Sequence, residues 1–146
     1  MKSKVLISFL AILLILALTG CDEMVAPGTP AWMVVEDTVT NYWQAIINRQ
    51  YELAKWYCIT GGIWDNKVDE WEEYININSE GEASLLISEP YFYKPAEAIE
   101  NNAIVYIWIL VDIIPFPDSF IIDGDTFEYE VELIKQNHPP GDWELK

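Results

Sequence analysis

Few side chains in this sequence have the type and spacing to do chemistry. Its 146 residues include one histidine, His138, and two cysteines, Cys21 and Cys58. A single histidine excludes an HExxH zinc site, and neither GxxxxGK[ST] nor GxGxxG is present to cradle a phosphate, so no cofactor is expected. His138 precedes Pro139-Pro140-Gly141, a turn in which an imidazole is solvated rather than held by a partner. Cys58 stands among Trp56, Tyr57 and Ile59 with no histidine nearby to activate it, which points to a small buried hydrophobe. The best acid-base candidate is Asp112. It is the only charge in Ala103 to Ile114, where 11 of 12 residues are apolar, and it shares strand parity with Tyr106, Trp108 and Leu110. A carboxylate in an apolar cavity has a raised pKa and can exchange a proton near neutrality. Tyr42, Trp108 and Asp112 are therefore the expected pocket residues, with Tyr42 as hydrogen-bond donor. The competing reading leaves Asp112 solvated where the strand emerges into the turn at Pro115 and Pro117. Glu128, Glu130 and Glu132 alternate along one segment. Alternate strand residues lie ~7 Å apart, too far for all three to hold one cation. Asp118, Asp123 and Asp125 lack the EF-hand spacing, so no metal site is expected.

The N-terminal segment carries a different chemistry. Lys2 and Lys4 precede Val5 to Leu18, an apolar run interrupted only by Ser8. That is the length of a signal-peptide core and too short to cross a hydrocarbon layer of ~30 Å as a helix. The run ends in Leu18-Thr19-Gly20-Cys21, which resembles the lipobox of bacterial lipoproteins. The resemblance implies cleavage between Gly20 and Cys21 and a diacylglyceryl thioether on Cys21, with palmitate-type chains holding the protein on the extracytoplasmic side of a membrane. Two or more acyl chains, at about 0.8 kcal/mol per buried CH₂, anchor durably where one would not. The implied division is a signal peptide over 1–20, the lipidated cysteine and a tether over 21–33, and a single domain over 34–146. With Cys21 acylated, Cys58 has no partner for a disulfide within the chain. Asp22 resembles the inner-membrane retention signal of lipoproteins in two-membrane bacteria.

The elements that must position these residues follow from periodicity. Val35, Val39, Tyr42, Trp43, Ile46 and Ile47 recur at helical spacing, and Asn48-Arg49-Gln50 breaks the pattern. Tyr51, Ala54, Trp56 and Tyr57 predict a short second helix, stopped at Gly61-Gly62. A third helix is predicted from Asp65, as N-cap, through Val68, Trp71, Tyr74 and Ile75, with a turn over 76–81. The period then switches to two. Ala83 to Lys94 is strand-like with a bend or edge at Pro90. Ala103 to Ile114, apolar on both faces, predicts a strand covered on both sides. Ser119 to Ile122 and Phe127 to Gln136 are predicted as strands flanking a turn at Asp123-Gly124-Asp125. In the latter, Phe127, Tyr129, Val131 and Leu133 face one way and the glutamates the other, as on a sheet with one wet face. Trp143 to Lys146 closes the chain as a last strand. Helices first and antiparallel strands afterwards define an α+β domain.

Val39-x-x-Tyr42-Trp43-x-Ala45-Ile46, followed by Asn48-Arg49-Gln50-Tyr51-Glu52-Leu53-Ala54, is similar to the opening of small lipoproteins of the nuclear transport factor 2-like superfamily. Gly141-Asp142-Trp143-Glu144-Leu145 resembles their closing turn and strand. The resemblance implies N-terminal helices packed on a curved antiparallel sheet, forming a cone whose mouth holds a small apolar ligand. Enzymes of that fold use an inward Asp, Tyr or His as acid or base.

The net charge of -16 argues against nucleic acid as a partner. Without residues 1 to 20 the chain keeps 6 basic against 24 acidic groups, a charge of -18, which anionic headgroups repel. An acyl anchor, not electrostatics, would then hold it at a membrane. Most of Trp43, Trp56, Trp64, Trp71 and Trp108 sit at core spacing. The sequence therefore predicts a lipid-anchored extracytoplasmic module that binds a small apolar ligand or a protein. The alternative is an isomerase- or dehydratase-like enzyme with Asp112 as base and Tyr42 as donor. The two-sided apolar strand adds a homodimer or an envelope protein as expected partners.

Overall fold

The fold is described from a computed structural model covering residues 29–79, 83–115, 123–136 and 143–146. The lipobox with Gly20 and Cys21, the strand expected at 119–122, and Asp118 and His138 lie outside the described residues. Helix α1, Ala31–Ile47, starts directly after Pro30, whose carbonyl accepts from the Met33 and Val34 amides. It buries Val35, Thr38, Val39, Tyr42, Trp43, Ala45 and Ile46 along one stripe, as the spacing of its apolar residues requires. Its end is set by Arg49, which takes a left-handed conformation (φ 58°) so that the Gln50 amide can reach back to the Ala45 carbonyl. That closure satisfies carbonyls the last helical turn leaves open.

Helix α2, Tyr51–Trp56, is barely one and a half turns and fully buries only Ala54. Trp56, one of five tryptophans of which most sit at core spacing, is 62% exposed. Two residues are ~200° of helical rotation, so with Ala54 against the core Trp56 must face water. Helix α3, Ile63–Asn78, buries Trp64, Val68, Trp71 and Ile75. It begins two residues before the expected cap. Gly62 occupies the cap position, and Asp65 lies in the first turn, its carboxylate accepting from the Gly61 amide at 2.7 Å. Its far end runs beyond the expected turn at Asn76, because the Ser79 amide still closes on the Ile75 carbonyl.

Six strands follow: β1, Ala83–Ile87; β2, Tyr91–Phe92; β3, Glu97–Ile99; β4, Asn102–Pro115; β5, Asp123–Lys135; and β6, Trp143–Leu145. All pair antiparallel, in the order β1-β4-β5-β6, with β2 and β3 also lying along β4. Thus β4 is flanked on one side by three short pieces of chain instead of one long strand. Between Ile87 and Tyr91 the flanking chain advances four residues while β4 advances three, from Val111 to Trp108. Such extra residues are bulges, which bend a strand and increase its twist. At the first, Ser88 repairs the ladder: its amide donates to the Leu110 carbonyl and its Oγ accepts from the Leu110 amide. Pro90 and Pro95 sit at the two interruptions, where no ladder amide is needed. The sheet curls into a half-barrel around the helices, the α+β cone-like fold that the order of helices and strands predicts.

Two strand expectations are corrected. Asp123-Gly124-Asp125 is not a turn: it is the start of β5, with Gly124 opposite Asp112. A Cβ at Gly124 would lie 2.9 Å from Asp112 Oδ1, a contact the carboxylate could relieve by turning aside. The second correction concerns β4, which among the described residues 103–111 is fully buried on one face and half-buried to exposed on the other. Ala103, Val105, Ile107, Ile109 and Val111 are buried under the helices, whereas Trp108 and Leu110 on the other face are 38% and 49% exposed.

The closing strand is tied to the link between α2 and α3. The Ile59 amide donates to the Leu145 carbonyl, and the Leu145 amide to the Tyr57 carbonyl, each at 2.9 Å. Gly62 lies in that crossing, where an added Cβ would be 2.9 Å from the Ile59 carbonyl oxygen and 3.2 Å from the Lys146 carbonyl carbon. These are backbone atoms and cannot swing aside. Gly62→Ala is expected to lower stability by about 1–3 kcal/mol, the usual scale of overpacking, read from the urea midpoint at unchanged m-value.

Candidate functional site

Trp43 is fully buried and touches aromatic rings on every side. Tyr42, Trp64 and Trp71 meet it edge to face at centroid distances of 5.4, 6.4 and 5.2 Å, and Tyr129 of β5 lies at 5.7 Å. Edge-to-face pairs set the electropositive ring edge against the electronegative face and add about 0.5–1.5 kcal/mol each beyond area burial. The cluster continues outward through Trp71 to Phe127 and Tyr74, at 5.2 and 5.4 Å. There it opens into a cleft of about 300 Å³ between α3 and β5, lined by Trp71, Tyr74, Phe127 and Tyr129, with Lys67 and Glu70 at the rim. Lys67 and Glu70 form an ion pair one helical turn apart.

Helical and strand periodicity place these residues. Trp71 and Tyr74 are three apart on α3, hence on one face. Phe127 and Tyr129 are two apart on β5, hence on one side of the sheet, with rings nearly parallel at 7°. The cleft is aromatic in its walls and charged only at its edge. Its volume is at the lower bound for small-molecule sites. Burial pushes the Tyr129 phenol up to about 12. The Trp71 indole N–H favours the phenolate and opposes that rise, although it completes no well-formed hydrogen bond. The Tyr129 hydroxyl is therefore neutral at physiological pH.

A second, shallower groove of about 510 Å³ runs between α1 and the β2–β3 link, lined by Trp32, Glu36 and residues 92–96. Among the described residues no three His, Cys, Asp or Glu side chains come together to hold a metal. None of the described helices is long and apolar enough to cross a membrane.

The three residues expected to share a pocket occupy two faces of the sheet. Tyr42 is fully buried on the helix side, its hydroxyl donating to the Trp64 carbonyl at 3.5 Å. Burial is also the main reason its phenol is held far above its ordinary range. Trp108 and Asp112 have the opposite parity, on the outer face. There Trp108 is flanked by Tyr91 and Tyr93, and Asp112 is half-buried opposite Gly124. The sheet stands between Tyr42 and Asp112, so they cannot act on one substrate. Pleating decides this: odd-numbered residues of β4 point at the helices and even-numbered ones away. Glu128, Glu130 and Glu132 share the outer face and are exposed. Cys58 is buried and free, its thiol donating to the Ala54 carbonyl at 3.5 Å.

Periodicity alone assigns Trp71, Tyr74, Phe127 and Tyr129 to the inward stripes of their elements. It does not mark them as a cleft. The available signal was a pair of aromatics on one helix face and a second pair on one strand face.

No protein-family model matches the sequence, and no curated protein is similar to it in sequence. The fold is similar to the crystal structure of a conserved protein from Planctomyces limnophilus DSM 3776, with a TM-score of 0.54. That likeness covers 77% of this chain and 88% of the other at 10% identity. The common ground is the architecture: helices on a curled antiparallel half-barrel sheet.

The buried acids give a pH dependence of defined sign. The Cys58 thiol is raised by burial from 9.0 to about 12, and Tyr129 from 10.0 to about 12. Both are neutral when protonated, so the unfolded chain loses these protons first as pH rises. Their contribution to stability should be constant through neutrality and fall from about pH 9 toward 12. Thermal unfolding across that interval checks the slope. In the same vein, Cys58 should resist a thiol reagent in the native protein at pH 8 and react on unfolding.

Proposed function

We propose that the protein is a lipid-anchored, extracytoplasmic binding module of the nuclear transport factor 2-like superfamily that takes a small apolar, ring-containing ligand into the cleft between α3 and β5. The observation that carries this reading is the aromatic lining of that cleft by Trp71, Tyr74, Phe127 and Tyr129. Ring edges and faces at such a site recognise a flat apolar body, and the Lys67–Glu70 pair at the rim suits a polar end left in water. A binding role, in place of catalysis, is supported by the state of the buried acids. Tyr42 and Cys58 are held protonated by desolvation, so neither serves as a base or nucleophile near neutrality. The superfamily reading is supported by the order of helices before a curled sheet. The anchor reading rests on Leu18-Thr19-Gly20-Cys21 after an apolar run.

Two experiments test these parts separately. In the first, the full chain in detergent is titrated with 2-naphthol and followed by tryptophan fluorescence. Saturable binding is expected, weakened about tenfold by Phe127→Ala or Tyr74→Ala, the scale of one lost aromatic contact at a binding centre. No saturation, or wild-type affinity in both variants, would remove the cleft from the account. In the second, bacteria expressing the protein are fed an alkyne analogue of palmitate. The wild type should label and Cys21→Ser should not; equal labelling of the two would remove the thioether at residue 21.

A further inference from the structure

The outer face of the sheet is a second surface, separated from the cleft by the sheet itself. One row on it is aromatic. Trp108 of β4 is stacked between Tyr91 and Tyr93, at 5.9 Å and 26° on one side and 4.8 Å and 21° on the other. Leu86 and Leu110 extend this row and are 54% and 49% exposed. The next row is anionic. Glu128, Glu130 and Glu132 stand in register opposite Trp108, Tyr106 and Ile104. Glu128 accepts from the Tyr93 hydroxyl, which ties the two rows together. Among the described residues no Lys or Arg pairs with Glu128 or Glu130, while Lys146 reaches Glu132 at 3.4 Å.

This face already receives one cation. Lys94 Nζ lies 4.1 Å from the centroid of Tyr106 and 5.4 Å from that of Tyr93, so the ring faces here are turned to accept positive charge. Carboxylates at alternate positions of β5 are spaced ~7 Å apart, the period of alternate side chains on another extended segment. Charge decides the occupant. A second copy of the chain would bring carboxylate rows together on molecules of net charge -16, which opposes self-pairing. An anionic lipid surface is repelled for the same reason. A guanidinium satisfies both rows at once, stacking on a ring and donating two parallel hydrogen bonds to a carboxylate.

We propose that this outer face, centred on Trp108 and the Glu128–Glu130 pair, docks an extended, arginine-bearing segment of a partner protein. Arginines at alternate positions meet the acidic row and the aromatic row beside it. The site is independent of the cleft and of any ligand there.

The test titrates the full chain in detergent with a synthetic peptide alternating arginine and valine. A peptide alternating glutamate and valine serves as the reverse-charge control. The arginine peptide should bind and the glutamate peptide should not. Trp108→Ala and the double variant Glu128→Gln/Glu130→Gln should each weaken binding about tenfold, as loss of a central contact does. Asp37→Asn/Glu73→Gln removes the same charge from exposed helix positions and should change affinity by less than about twofold, since distant exposed charges are screened. Tyr91→Ala, at a more exposed position, replaces Trp108→Ala if the latter unfolds. Failure to bind, or equal weakening by both charge-removing double variants, overturns the proposal. So does sedimentation showing a wild-type dimer that Trp108→Ala separates, because a second copy would then cover the face.

Discussion

The packing of Trp43 between two helices and the sheet is the contact on which the rest of the structure depends. Its ring is held by Tyr42 from its own helix, by Trp64 and Trp71 from α3, and by Tyr129 from β5. A domain of this size must bury a large apolar area to offset chain entropy, and a few indoles achieve that with few residues. The same packing fixes the distance between α3 and β5. Trp71 and Tyr129 belong both to the buried cluster and to the cleft wall, so the cleft is the unfilled outer end of the core.

The two strands β4 and β5 divide the molecule into faces with different chemistry. On the helix side, β-branched residues of β4 and the apolar parity of β5 form a dry layer. On the other side, aromatic rings and carboxylates alternate across the strands. An antiparallel sheet with one wet face is common, but that face is ordinarily polar throughout. Here it carries Leu86, Tyr91, Trp108 and Leu110 in exposed positions. The three short strands along β4 bend the sheet toward the helices, which leaves this face on the outside of the curl.

Much of the architecture was legible from periodicity, because a helix stripe and a strand alternation are local patterns. The core stripe of α1, the buried positions of α3 and the inward and outward sides of β5 can all be read without tertiary information. Local pattern and structure part where a residue's surroundings come from a distant element. Asp123-Gly124-Asp125 has the composition of a turn, yet β4 extends far enough to pair with it, placing Gly124 opposite Asp112. Trp56 has core composition, but its helix is too short to offer more than one inward position. Asp65 has cap chemistry and performs it one turn later, by reaching back to Gly61.

By itself the sequence determined the class of the fold, the acidic surface and the lipobox-like segment, since each depends on composition or on neighbours along the chain. It could not determine which parity of β4 faces the helices, because both parities are apolar and burial alone does not choose between them. Only the tertiary structure decided that, through the register with β5, whose glutamates cannot be buried unpaired. That one choice sends Trp108 and Asp112 to the open face, keeps Tyr42 on the other, and leaves Trp71, Tyr74, Phe127 and Tyr129 to line the cleft.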